Sequence, residues 1–487
     1  MMCGTRTHRA QRESLLMFKE LTRLSAVELA RLVRTKKASP VEVVEAHLAA
    51  IQRINPAVNA FCTVAAEKAL AWARDAERAV KKRAKLKALH GVPVAIKDLT
   101  PTADIRTTFG STLFRDHVPT EDAEVVRRLK AAGAIVLGKT NTPEFGAGAN
   151  TVNKVFGATR NPWNTALSAS GSTGGGAAAL AARMAPLAEG TDFGGSLRTP
   201  AAFCGVLGLR TTAGLVPKHP AAMPWHDQSV AGPMARSAED CALLLDAMTG
   251  LSGKSPLSAP APWRSAREAV AKARSLRGLR LAYAPDIAGI GVDEEIERIC
   301  RTAARDLRDD AGAALEEIEF SLSDGRDAFL ALRGEAMVGN HFDRLERIGE
   351  LGDNLAGNIR AGLALTSSEI ARAERKRAEI WHRWRALFER YDALLTPTAP
   401  VPPFPVEKNY PDVVEGRRMQ HYIDWIGPTF LVSLAALPAA SVPAGLTAAR
   451  LPVGLQIVGP RFSEPMILTI AKFAEEAHPI GLPPNCA

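Results

Sequence analysis

Apolar residues recur along this chain with two periods, and the switches between them mark out its elements. Residues from about 26 to 54 carry apolar positions at three- and four-residue intervals, which predicts two helices broken at Ser39–Pro40; a third helix is expected at about 64–83. The run VPVAIKD (92–98) is uninterrupted and bounded by Gly91, as in a strand covered on both faces. EDAEVVRRLKAAGAIVLGKT then reads as a helix, a stop at Gly133 and a second buried strand. From Gly171 a glycine-rich loop opens into the helix AAALAARM, and Ser237 with Asp240 forms a helix cap before CALLLDAM.

Residues 250–276, rich in Ser, Pro and Ala, read as a surface connection, followed by a strand (LRLAYAP) and a helical stretch. In ERKRAEIWHRWRALFERY, Ile380, Trp381, Trp384, Leu387, Phe388 and Tyr391 make one apolar stripe with arginines on the wet side. ALLTPTAP, PAASVPAGL and LPVGLQIVGP return to the strand pattern. This rhythm predicts an α/β fold: one large domain over residues 20–487, with a more helical part at about 255–390 and a sheet completed by C-terminal strands. Residues 1–19 are expected to form a disordered tail. No internal repeat is visible.

Composition removes several function classes. The chain has 487 residues, 46% hydrophobic and 23% charged, as in a soluble enzyme, and no apolar run approaches the roughly 18–20 residues of a membrane span. The first residues, MMCGTRTHRAQRESLLMF, lack the apolar stretch of a signal peptide. The six cysteines (Cys3, Cys62, Cys204, Cys241, Cys300, Cys486) form no CxxC pair, which fits reduced thiols and a cytoplasmic location. The ten histidines include no HExxH or comparable ligand pair, so no metal is expected. The formal charge of +9 is densest in KKRAKLK (81–87), read as a solvated helix face, so no nucleic-acid partner is expected.

The chemistry concentrates in the glycine-rich region. SASGSTGGGAAA is not a phosphate loop, because Ala177 and Ala178 stand where Lys and Ser/Thr are needed, and no GxSxG elbow is present. What remains is Ser172 and Ser196, each in a glycine setting, and Lys97 after a buried strand. A serine hydroxyl is a weak nucleophile until a base takes its proton, and a lysine can be that base if burial keeps it neutral. Gly194 and Gly195 would let an oxyanion approach the backbone N–H groups. Spacing alone also fits two turn serines and a solvated lysine.

The block GSTGGGAAALAARMAPLAEGTDFGGSLRTPAAFCGVLGLR resembles the signature of the amidase signature family. HGVPVAIKDL, GKTNTPEFG, GATRNPWN, LLTPTAP and ALPAASVPAGL…LPVGLQIVGP resemble its other segments in the same order, so the resemblance covers about residues 20–475. It implies a central twisted mixed β-sheet with helices on both faces. It also implies a Ser–cisSer–Lys triad: Ser196 as nucleophile, Ser172 as bridging serine after a cis peptide bond, and Lys97 as base. The N–H groups of Phe193, Gly194, Gly195 and Ser196 would form the oxyanion hole, with Asp192, Arg198 and Thr173 in support, Asp192 and Arg198 as an ion pair. Thr173 and Ala169–Ser170 depart from the usual pattern, and Ser170 puts a side chain where glycine normally allows close packing.

The implied activity is hydrolysis of a small aryl or alkyl amide to acid plus amine or ammonia through an acyl-enzyme, with carbamates and esters as further substrates. The resemblance implies no cofactor and no membrane partner, and a monomer or homodimer is expected. The alternative within the family is the glutaminase (A) subunit of a tRNA-dependent amidotransferase. Against it, GLVPKHPAAMPWHDQ stands where that subunit continues with tyrosine, glycine, arginine and valine. Residues 223–228 and 337–342 are candidates for the substrate lining, with His226 expected to be solvated.

Overall fold

The computed structural model describes residues 20–484. The tail expected at 1–19 lies outside them. Eleven strands make one sheet: β1 (Phe61–Val64), β2 (Pro93–Lys97), β3 (Ile135–Thr140), β4 (Leu187–Asp192), β5 (Leu207–Arg210), β6 (Val230–Ala235), β7 (Arg280–Tyr283), β8 (Ala314–Glu317), β9 (Ala393–Pro397), β10 (Ala439–Leu446) and β11 (Pro452–Val458). Their spatial order is β1-β3-β2-β4-β6-β5-β10-β11-β9-β7-β8. The sheet is mixed: β3, β2 and β4 run parallel, as do β9, β7 and β8, while the strands between them pair antiparallel.

Period-two alternation sorts the side chains of β2 onto two faces. Val94 and Ile96 enter one apolar cluster, shared with Val126 and Leu129 of helix Glu124–Ala131 and Leu244 of helix Ala238–Met248. Ala95 enters another, with Ala177 to Leu180 of helix Gly174–Ala181. Both faces of the sheet are therefore covered, which is why β2 reads as an unbroken apolar run. The result is one large α/β domain.

Local chemistry sets the helix ends. Ser25 with Glu28 and Ser39 with Glu42 form capping boxes for helices Ala26–Arg34 and Pro40–Val58, and Pro40 stands at the first helical position. Ser237 caps helix Ala238–Met248 by accepting the Asp240 N–H. The Asp240 carboxylate does something the sequence pattern did not reveal: it accepts the N–H groups of Ala26 (2.8 Å) and Val27 (2.9 Å) at the start of another helix.

The stretch at 255–390 supplies helices Arg326–Asn340, Asp353–Leu363 and Ser367–Arg390, and also β7 and β8 at the sheet edge. Within the connection at 250–276, residues Ala266–Lys272 form a short helix capped by Ser265. On Ser367–Arg390 the aromatic stripe is buried at Ile380, Trp384 and Leu387. The basic run at 81–87 follows the end of helix Ala66–Lys81 and is exposed except at Leu86. Among the described residues no helix is long and apolar enough to cross a membrane.

Candidate active site

Lys97 ends β2 and is fully buried. Its Nζ lies 2.7 Å from Ser172 Oγ, 2.8 Å from Thr173 Oγ1 and 3.0 Å from Thr191 Oγ1. Burial lowers its pKa to about 7, against the opposing pull of the Glu189 and Asp192 carboxylates. A lysine so placed exchanges between an ammonium that donates to Ser172 and a neutral amine that can accept its proton.

Ser172 and Thr173 immediately precede helix Gly174–Ala181, and the Gly171–Ser172 peptide bond is cis. This segment is tied to the one carrying Ser196. The Thr173 N–H donates to the Ser196 carbonyl (3.1 Å), and Thr199 Oγ1 donates to the Gly171 carbonyl (3.1 Å). Gly146 leaves room beside the pair, since a Cβ there would stand 3.3 Å from Ser172 Oγ. Ser196 is half-buried, and its hydroxyl makes no hydrogen bond among the described residues. Ser170 is accommodated: its backbone is left-handed (φ 59°), its N–H donates to Ser168 Oγ (2.9 Å), and its hydroxyl donates to the Ala149 carbonyl (3.3 Å).

The loop between β4 and helix Arg198–Cys204 is organised around Asp192. Its carboxylate accepts the N–H groups of Gly195 and Leu197, each at 3.1 Å, and pairs with Arg198 (2.9 Å) and Arg210 (3.2 Å), all three side chains fully buried. Burial raises Asp192, but the two guanidinium groups outweigh it and hold the carboxyl well below the usual range. Arg198 also donates to Gln456 Oε1 (2.7 Å), Ser433 Oγ (2.8 Å) and the Thr429 carbonyl (2.9 Å). The expected Asp192–Arg198 ion pair is thus present within a larger network. The Gly195 N–H is engaged by Asp192; those of Phe193, Gly194 and Ser196 have no acceptor among the described residues.

Behind Lys97 lies a second buried layer. Glu189, on β4, accepts the Lys97 N–H (3.3 Å) and the Thr100 hydroxyl (3.0 Å). Burial raises the Glu189 pKa against the pull of Lys139 and Lys97. Lys139 donates to Thr102 Oγ1 (2.8 Å) and to the Thr100 carbonyl, and burial lowers it to about 8. Thr191, Glu189, Arg210 and Thr429 escaped the sequence reading. Thr191 and Glu189 sit inside the quoted stretch EGTDFGGS, so a strand-register argument from Lys97 could have found them.

The candidate lining divides. Met337 and Val338 pack with Phe145, Phe193 and Ala147, whereas Trp225 and Phe342 are exposed. His226 is not solvated as expected. Its ring lies 5.0 Å from that of Phe193, neither ring nitrogen has a partner among the described residues, and burial lowers its pKa to about 4.

A buried lysine on one serine, and a second serine on a loop where three N–H groups have no acceptor among the described residues, make an arrangement chemically suited to acyl transfer. The chain belongs to the amidase family, whose model matches residues 42–468, and is thereby an enzyme that hydrolyses amide C–N bonds. It is 36% identical to an acylamidase of Rhodococcus erythropolis over 94% of this chain and 96% of that protein. It is 35% identical to the A subunit of the glutamyl-tRNA(Gln) amidotransferase of Methylococcus capsulatus over 93% and 97% of the two chains. The crystal structure of a bacterial aryl acylamidase of the amidase signature enzymes superposes with a TM-score of 0.86 at 28% identity, covering 93% of this chain and 96% of the other.

Proposed function

We propose that the protein is an acylamidase in which Ser196 is the nucleophile, Ser172 the proton relay and Lys97 the base. The observation that carries this reading is the 2.7 Å contact between Ser172 and a fully buried lysine whose pKa is lowered to about 7. Ser196 Oγ attacks the amide carbonyl carbon while its proton passes to Ser172 Oγ and the Ser172 proton passes to neutral Lys97. The tetrahedral oxyanion accepts from the N–H groups of Phe193, Gly194 and Ser196. The Gly195 N–H, held on Asp192, braces the loop. Collapse expels the amine with a proton returned along the relay, leaving an acyl-enzyme. Water then attacks the ester by the same path, releasing the acid and restoring Ser196.

Small aryl or alkyl amides are the proposed substrates, in keeping with the acylamidase and aryl acylamidase relatives; carbamates and esters suit the same chemistry. The enzyme is proposed to act in the cytoplasm, as a monomer or homodimer, without a nucleic-acid or membrane partner. The amidotransferase relatives favour a second reading, an ammonia-producing glutaminase component of a larger complex.

A panel of anilides, aliphatic amides, carbamates and glutamine, with fluorophosphonate labelling, tests these. Ser196→Ala should fold normally and lose both labelling and turnover. Retained turnover would sink the assignment. Glutamine hydrolysis that requires a co-purifying partner would establish the second reading instead.

A further inference from the structure

Among the described residues, one buried cation beside the loop of residues 193–196 has no anion. Arg333 lies on helix Arg326–Asn340 in step with Phe329 and Met337, at four-residue spacing, so the three share one helix face. That face abuts the loop of residues 193–196. The Phe329 ring is 5.8 Å from the Phe193 ring and would lie 3.2 Å from a Cβ at Gly194, and Met337 belongs to the same apolar cluster as Ala147, against which Phe193 packs.

Arg333 is 5% exposed, with its guanidinium carbon 4.9 Å above the Phe193 ring and 5.9 Å from the Tyr422 ring. Nε donates to Asn358 Oδ1 (3.2 Å) and Nη2 to the Tyr422 hydroxyl (2.8 Å). Nη1 donates to nothing among the described residues, and no carboxylate there pairs with Arg333. Asp424, close by in sequence to Tyr422, is taken by Arg326 at 2.7 Å. Arg198 and Arg210, by contrast, share Asp192. A buried guanidinium with only neutral partners and a spare N–H edge is a poor structural choice but a good receptor for an anion.

The geometry points to Arg333 as the receptor for a carboxylate on the substrate, making amides that carry a free acid group the preferred class. The inference rests on the loop of residues 193–196 being the acyl-transfer site. The competing account is a strut, with Arg333 merely wedged between two aromatic rings.

Two matched pairs separate these accounts. One is the monoanilide of glutaric acid against a neutral anilide of equal chain length, which puts the charge on the acyl side. The other is N-benzoylglycine against N-propylbenzamide, which puts it on the amine side. Dissociation constants are measured by calorimetry in the Ser196→Ala chain, and kcat/KM in the wild type. Charge-assisted recognition should favour the acid in at least one pair by roughly tenfold to a hundredfold. Arg333→Met should erase that ratio, mainly through KM, and Arg333→Lys should recover part of it. Equal loss for both members of each pair, or no preference for either acid in the unmutated wall, overturns the proposal. Turnover that survives Ser196→Ala would defeat the assignment of the nucleophile, while the binding ratios would still decide the role of Arg333.

Discussion

Lys97 Nζ lies 2.7 Å from Ser172 Oγ, a contact that joins segments 75 residues apart and is closed to solvent on both sides. Everything proposed for the site depends on how often that amine is neutral. Below its pKa of about 7 it holds a proton and cannot take another from Ser172. We expect kcat/KM for a neutral anilide to rise about tenfold per pH unit up to about pH 7 and then level off. Lys97→Ala should remove most activity at every pH. A pH–rate profile on an uncharged substrate is the check, and a profile flat from pH 5 to 8 would contradict the role.

Glu189 provides an independent test of the same equilibrium. Its carboxylate touches the Lys97 backbone and is the largest electrostatic influence holding the Lys97 pKa up. The other charged groups around the lysine are Asp192, at the end of the same strand, Asp98 next in sequence, and Lys139 on β3. Glu189→Gln removes one negative charge and leaves the lysine less willing to hold its proton. The rising limb of kcat/KM should therefore move to lower pH, whereas a purely structural loss would lower the rate without moving the limb.

Asp192 should matter more to the fold than its position at the very end of β4 suggests. Its removal leaves Arg198 and Arg210 buried without their anion and frees the N–H groups of Gly195 and Leu197. Breaking a buried ion pair from one side destabilises by about 3–5 kcal/mol. Asp192→Ala should lower the urea midpoint accordingly, and Asp192→Asn, which keeps hydrogen-bonding capacity, should lower it less.

The central strands were readable because burial on both faces leaves a bare apolar run, and VPVAIKD matches Pro93–Lys97 almost residue for residue. Strand β8 was not, because ALEE at the sheet edge is largely exposed and carries no apolar alternation. In the site, Lys97 and Ser172 were candidates from their local sequence setting and Thr173 only from the resemblance to a known signature, and the three meet in space. Thr429 and Arg333 come from elements more than a hundred residues after Ser196. Their place beside residues 193–195 follows from how the helices pack over the sheet, which no local pattern encodes.

Gly195 should tolerate no side chain. Its φ of 128° is disfavoured for any other residue, and a Cβ would collide with the Thr429 hydroxyl, which itself donates to the Gly194 carbonyl (2.7 Å). Gly195→Ala should displace the N–H groups proposed to hold the oxyanion and cut kcat by about 100-fold or more, the scale of losing one oxyanion donor. Adding Thr429→Ala removes the clash with the hydroxyl but leaves the Thr429 Cβ only 2.7 Å away and the backbone strain in place, so rescue should be partial. Full recovery in the double variant would show that only the clash mattered.

Acid should destabilise the protein through its buried histidines. His47 is fully buried on helix Pro40–Val58; its Nδ1 meets the Val43 carbonyl at 2.8 Å and its Nε2 has no partner among the described residues. Burial lowers its pKa to about 4, and it does the same for the less enclosed His226 and His341. These rings stay neutral in the folded chain while the unfolded chain takes up protons below about pH 6.5. The unfolded state thus binds more protons between about pH 6.5 and 4, so stability is intact above that window and falls as pH drops through it. For His47 the loss approaches about 3 kcal/mol, at roughly 1.4 kcal/mol for each pH unit between the folded and unfolded pKa. His47→Leu removes that titration, so the difference in urea-derived unfolding free energy between pH 7 and pH 4.5 should shrink. An unchanged difference would mean that His47 is already charged in the folded protein.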